Sequence, residues 1–274
     1  MTRAKKQVDW VFDEVNRFLD GDAYAVETYF DTKAGEYVYR GRILKDPRPE
    51  WSIAISESLH LYNSVLDNMA WIVASPDGEA PPKGTGFPIR PSRAAYRKLW
   101  SHDGGYYMVR AMPVRAQAII ENAQPYHRGK AYAGHPLWAL RRLANMDKHE
   151  AIHLSASSVP EIQREVLEAE GVKLPSITEF TGPFQDGAEI FRMGLPKLLS
   201  PGKVSGAKMK MNFKFAFGVT FPKNGPGNGR DVRIVLEEIQ NAVESVCREL
   251  LSYVEPLVPE PPIMPAPTEI RLGD

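Results

Sequence analysis

Between Glu50 and Ser75, the residues Ile55, Leu59, Tyr62, Leu66, Met69 and Val73 recur at intervals of 4, 3, 4, 3 and 4. An α-helix brings such positions onto one narrow face, whereas a strand, with its period of two, scatters them over both. At about 1.5 Å of rise per residue the rod is roughly 35–40 Å long, long enough to stand at the centre of a bundle. Other helices must cover its stripe. The opening stretch offers one, with Val8, Val11, Phe12, Val15, Phe18 and Leu19 at helical spacing before Gly21. A third runs from about Pro136 into "NMDKHEAIHLS", and a fourth, "RDVRIVLEEIQNAVESVCRELLSYV", closes the patterned part of the chain. A shorter helix is expected in "PVRAQAIIENAQPY", with Pro113 in its first turn.

The intervening segments change period. "AYAVETYFDTKAGEYVYRGRIL" holds two runs rich in Val, Tyr and Phe around "DTKAGE" and predicts a β-hairpin. "HLSASSV", "SITEFTGPFQDGAEIFRM" and "KMKMNFKFAFGVTF" predict further strands, with "QDGA" as a tight turn and "EIQREVLEAE" as a short helix between them. "KNGPGNG" reads as a flexible turn and "SPDGEAPPKGTGFPIRP" as a surface connection. Short connections favour antiparallel pairing, and the order is not an alternating βαβ one. The expected class is therefore α+β: a helical bundle of long amphipathic helices with one antiparallel β-sheet packed against it. Residues 1–254 form one domain in this reading. They comprise an N-terminal helix and hairpin (1–46), a helical core (50–151), a strand region (152–222) and a C-terminal helix (231–254). A proline-rich tail follows over 255–274.

The 34 Lys and Arg residues balance 34 Asp and Glu, so no global field draws in polyanions; any such site is a local patch. Two basic runs, Arg90–Lys98 and Lys203–Lys214, are the candidates, though runs of this kind usually form a solvated face or guard an edge strand. The single cysteine, Cys247, excludes an internal disulfide framework and a Cys-based zinc site, and its helical register predicts a buried thiol. The chain opens without a basic-then-apolar signal and has no apolar run near the roughly 20 residues a membrane span needs. A cytoplasmic protein without membrane contact is expected.

His149, Glu150 and His153 spell H-E-x-x-H, which on a helix would set two imidazoles one turn apart for zinc with the glutamate as base. That reading requires the helix to continue through Leu154, and "SASS" after it looks like strand or turn. His153 is also the last histidine in the chain, so no downstream imidazole completes the set, and the choice among Glu161, Glu165, Glu168 and Glu170 is open. On a helical wheel, Trp138, Arg142, Asn145, His149 and His153 share one side. Asp147 falls opposite, continuing the apolar stripe of Leu137, Leu140, Leu143 and Ala144. Asp147 then either forms a structural ion pair or orients a catalytic histidine, with Arg142 and His149 as partners. The central helix carries a polar strip of Ser56, His60, Asn63, Ser64 and Asp67. If the two helices face each other, His60, Asp67, Arg142 and His149 line one groove.

Four segments, "YNSVLDN" (Tyr62–Asn68), "TGFPI" (Thr85–Ile89), "QPY" (Gln124–Tyr126) and "DKHE" (Asp147–Glu150), occur in the order of an uncharacterised bacterial family common in actinobacteria. The chain resembles that family over roughly residues 50–153; its pattern reads L-R-x-x-L-D-H, T-x-F-P-I, Q-P-Y and D-K-H-R. Glu150 departs from the arginine of the last segment. The first segment of the family is similar to the R-x(4–6)-H motif of HEPN-type helical ribonucleases, in which histidine serves as base and arginine stabilises the phosphorane-like charge. Asn63 and Asn68 replace that pair here, while an Arg-six-His spacing survives from Arg142 to His149.

Three classes follow. The first is a structural or ligand-binding helical protein, able to pair as a homodimer through its helices. The second is a HEPN-like, metal-independent protein that cleaves or binds RNA through Arg142, Asp147 and His149. The third is a zinc hydrolase through His149 and His153.

Overall fold

The computed structural model describes residues 2–98, 104–147, 152–165, 172–173, 177–180, 182–194, 197–198 and 210–254. Helix α1 (Thr2–Asp20) leads into the hairpin of β1 (Tyr24–Asp31) and β2 (Glu36–Ile43), and α2 (Pro49–Ala74) follows. Three short helices come next: α3 (Arg93–Tyr96), α4 (Gly105–Val109) and α5 (Val114–Asn122). Pro113 stands just ahead of the first turn of α5 rather than inside it. A 3-10 segment (Pro125–Gly134) then joins α6 (Pro136–Asp147). The strands are β3 (Ser155–Glu165), β4 (Val172–Lys173), β5 (Ile177–Glu179), β6 (Gly182–Pro183), β7 (Glu189–Gly194), β8 (Lys197–Leu198) and β9 (Lys210–Thr220), and α7 (Val232–Val254) closes the described chain. The architecture mixes helix and antiparallel sheet, as an α+β chain should.

All six stripe residues of α2 are buried, and they join one continuous core. Val8, Val11 and Val15 of α1, Leu137, Leu140 and Leu143 of α6, and Val235, Ile239 and Val243 of α7 belong to the same cluster. Burying each such side chain contributes about 1.5–3 kcal/mol, so the periodic stripes are the main stabilising feature of the helical layer. α1 packs on α2, while α6 and α7 pack on α2 and on each other. Cys247 is buried in α7 and its thiol pKa is raised, chiefly by burial, as the helical register implied.

The strands expected as one sheet are distributed over three antiparallel ladders: β1-β2-β7-β5, β6-β3-β9 and β4-β8. The hairpin pairs Tyr24 with Ile43 through Asp31 with Glu36. Gly187, at φ 76°, supplies the left-handed residue of the "QDGA" turn before β7. "EIQRE" is not helical. Glu161–Glu165 continue β3, paired residue by residue with Lys214 to Lys210 of β9. Tyr24 ties the layers together: its ring lies 5.7 Å from Phe18 of α1, 5.3 Å from Phe217 of β9 and 6.0 Å from Phe184.

Candidate functional site

Asp67 and Gln124 determine where the chain between α2 and α3 runs. Asp67 Oδ1 accepts the Phe87 backbone N–H at 2.8 Å. Gln124 has no exposed surface; its Oε1 accepts the Arg90 N–H at 2.9 Å while its Nε2 donates to Pro88 O at 2.7 Å and Ile120 O at 3.0 Å. A primary amide suits this position because it donates twice and accepts once, satisfying backbone groups that have no other route to water. Phe87–Arg90 is thereby held against α2 on one side and the end of α5 on the other.

The result is a cleft of about 350 Å³ between α2, α6 and that loop. From α2 it takes His60, Asn63, Ser64 and Asp67; from α6, Arg141 and Asn145; from the loop, Arg90. Arg90 is 8% exposed, with Nη1 3.3 Å from Ile89 O and Nη2 3.3 Å from Met108 Sδ. Arg141 donates from Nη1 to Ile89 O, so one helix residue and one loop residue are braced together. Asp67 has a raised pKa: the loss of water around the carboxyl outweighs the stabilising Phe87 N–H. Among the lining side chains, two guanidiniums and one imidazole meet one carboxylate.

Of the four residues expected to line one groove, His60 and Asp67 line this cleft, and the α6 arginine beside them is Arg141 rather than Arg142. Arg142 is exposed and lines a separate cleft of about 540 Å³, with Trp138 and Tyr132 on one wall and the Lys223–Asn228 loop on the other. The structure brings together His60, Asp67 and Asn145, and it separates Arg142 from them. The side chain of Asp147, and all of His149 and Glu150, lie outside the described residues. Residues 152–154 are not helical and His153 is exposed just ahead of β3. The continuous helix that a two-histidine zinc site requires through Leu154 is thus absent, because β3 begins at Ser155. No group of three or more His, Cys, Asp or Glu suited to a metal occurs among the described residues. No helix among them is long and apolar enough to cross a membrane.

Three residues that build the cleft escaped the sequence reading: Arg90 and Arg141, which line it, and Gln124, which holds the loop behind its wall. Arg90 opens a basic run that suggested a solvated face, yet only its later members Arg93, Arg97 and Lys98 are exposed. Gln124 carries no charge and no periodicity. A signal was available in their company: Asp67, "TGFPI" and "QPY" all belong to the quoted segments, and the three described segments converge on this cleft. Compared with family models, curated proteins and solved structures, the chain matches none.

Proposed function

We propose that this protein is a ligand-binding protein built on a bundle of helices, and that its site is the α2–α6 cleft, where it takes a small anion such as a carboxylate or phosphate. The observation that carries the reading is Arg90, nearly buried in the wall of the cleft that Arg141 and His60 also line. Arg90 and Arg141 set two guanidiniums at this cleft, and an anion there gains charge-assisted hydrogen bonds in the fork geometry that carboxylate and phosphate match. Asn63 and Asn145 supply neutral donors around it. The convergence of the three family-like segments on one cleft supports the resemblance as well: such segments would then be shared because they build a pocket.

The test is a thermal-shift titration with phosphate, sulfate, acetate and succinate at constant ionic strength, for the wild type and Asn145→Asp. Asn145 is exposed, so the substitution adds a negative charge to the cleft without disturbing the core. One of the anions should raise the wild-type Tm in a saturable way, with about 2.7 kcal/mol of stabilisation at a hundredfold excess over Kd. Asn145→Asp should abolish the shift. If chloride at equal ionic strength does as well as every anion tried, the reading fails.

A further inference from the structure

The second cleft has the features of a separate site. Its wall toward β9 is the loop from Pro222 to Arg230, which the sequence suggested was flexible. The loop is instead tied by its own backbone: Gly229 N–H donates to Pro222 O at 3.2 Å, Asn228 N–H to Gly225 O at 2.9 Å, and Phe221 N–H to Arg230 O at 3.1 Å. Gly227 packs so closely on the buried Phe221 that a Cβ there would sit 2.3 Å from Phe221 Cβ. Asn228 holds φ at 50°, in the left-handed region, a conformation that this bonding fixes. The facing wall is Trp138 and Tyr132, whose rings meet edge to face at 5.5 Å. Arg230 and Glu238 close the end as a fork pair at 3.0 and 2.5 Å. Both walls are therefore preformed.

Two cations remain for a ligand. Arg142 and Lys223 are exposed residues on opposite walls, and neither makes an ion pair with a described carboxylate. Glu238 is already engaged by Arg230, which holds its carboxyl below the usual range. The cleft thus combines an aromatic and proline-lined wall with uncompensated positive charge, at a volume of about 540 Å³. A bare anion would leave the apolar wall wet, and a neutral ring would leave the cations unused. A ligand with both parts uses both.

We infer that the cleft between α6 and the Pro222–Arg230 loop binds a nucleotide, with the base against Trp138 and Tyr132 and the phosphate between Arg142 and Lys223. The nucleotide is either free or one unit of a single strand of RNA; the recognising chemistry is the same. This site does not rest on the occupancy of the α2–α6 cleft, although Arg141 of that cleft also lies 6.0 Å from the centroid of the Trp138 ring.

The experiment is calorimetric titration of the full chain with AMP, adenosine, inorganic phosphate and a ten-nucleotide single-stranded RNA, in wild type, Arg142→Ala, Lys223→Ala and Asn145→Asp. AMP should bind more tightly than adenosine or phosphate alone. Arg142→Ala and Lys223→Ala should each weaken AMP roughly ten- to hundredfold, the expected loss of one charge-assisted contact, and Asn145→Asp should leave it unchanged. An oligomer that binds more tightly than AMP, with an affinity that falls steeply with salt, identifies the strand as the source; equal affinities identify the free nucleotide. The inference is overturned if neither AMP nor the oligomer binds at millimolar concentration. It is equally overturned if binding is indifferent to Arg142 and Lys223 or is lost in Asn145→Asp, which would assign the ligand to the other cleft.

Discussion

Arg141 and Arg142 are neighbours in α6 and line two different clefts. Arg141 reaches Ile89 O across the α2–α6 cleft, and Arg142 faces Trp138 and the Lys223–Asn228 loop. The step of 100° per residue separates them, so the outward face of α6 forms one wall of each cleft. The two side chains should therefore fail differently when truncated. Arg141→Ala removes a brace on the Phe87–Arg90 loop and should cost about 1–2 kcal/mol, read as a drop of a few degrees in Tm, together with loss of anion binding. Arg142→Ala should leave Tm unchanged and affect only ligands of the second cleft. Equal Tm losses in the two variants would show that the brace contributes nothing.

Gln124 makes three buried hydrogen bonds behind the wall of the first cleft. Gln124→Ala strands the Arg90 N–H and the Pro88 carbonyl inside the protein, and each buried unpaired group costs about 1–3 kcal/mol. A total loss of roughly 2–4 kcal/mol is expected in urea unfolding. Gln124→Glu has nearly the same shape, but its carboxylate cannot donate to Pro88 O and Ile120 O. It should destabilise about as much as alanine near neutral pH and recover as the pH falls. A benign Gln124→Glu at neutral pH would contradict the bonding described.

How much of this was legible in the sequence depends on which forces act locally. The stripe of α2 and the hairpin from Tyr24 to Ile43 carry their period in the chain itself, and both form as the pattern requires. Glu161–Glu165 do not. "EIQRE" is rich in helix formers, but alignment with Lys210–Lys214 in a long two-stranded pairing overrides that preference. Asp67 and His60 could be singled out because they interrupt the margin of an apolar stripe. The choice between Arg141 and Arg142 could not be made this way, since it depends on where Phe87–Arg90 lies relative to α6. That placement is set by Asp67 together with Gln124, which is far away in sequence and silent in any periodicity.

Asp67 offers a second, opposite test of the same loop. Its carboxyl pKa is raised in the folded chain, so the ionised form is disfavoured there. The stability it contributes is complete below the unfolded carboxylate range and is lost as pH rises through the folded pKa. Asp67→Asn keeps an oxygen to accept the Phe87 N–H and removes the charge, so at neutral pH it should be neutral or stabilising. Asp67→Ala removes the acceptor and should cost about 1–2 kcal/mol. Urea midpoints of the two variants at neutral pH distinguish these outcomes; a strongly destabilised Asp67→Asn would mean that the charge itself is needed.

Gly227 tests whether the second cleft is held rigidly. A methyl group there collides with Phe221, which is fully buried, and overpacking of this kind costs about 1–3 kcal/mol. Gly227→Ala should lower Tm and speed proteolysis within the Pro222–Arg230 loop, whereas Asn224→Ala, on an exposed residue of the same loop, should do neither. If Gly227→Ala is silent in both measurements, the loop is not anchored through Phe221.

His135 makes the fold sensitive to mild acid. It immediately precedes α6, where its Nδ1 accepts the Leu137 N–H at 3.2 Å and so acts as a cap that only the unprotonated nitrogen can provide. Burial first, and then the charges of Arg128 and His127, lower its pKa from 6.5 to about 4. Between those two values the unfolded chain binds a proton that the folded chain refuses, so stability increases with pH across the window. It is fully present above the unfolded value, declines as pH falls below it, and stops declining once the folded histidine is also protonated. Partial exposure reduces the effect to on the order of 2 kcal/mol. His135→Asn retains an acceptor for the Leu137 N–H and removes the titration. Urea unfolding at closely spaced pH values between 4 and 7 should give a steeper curve for the wild type than for His135→Asn. Two superimposable curves would show that the imidazole is not held neutral in the fold.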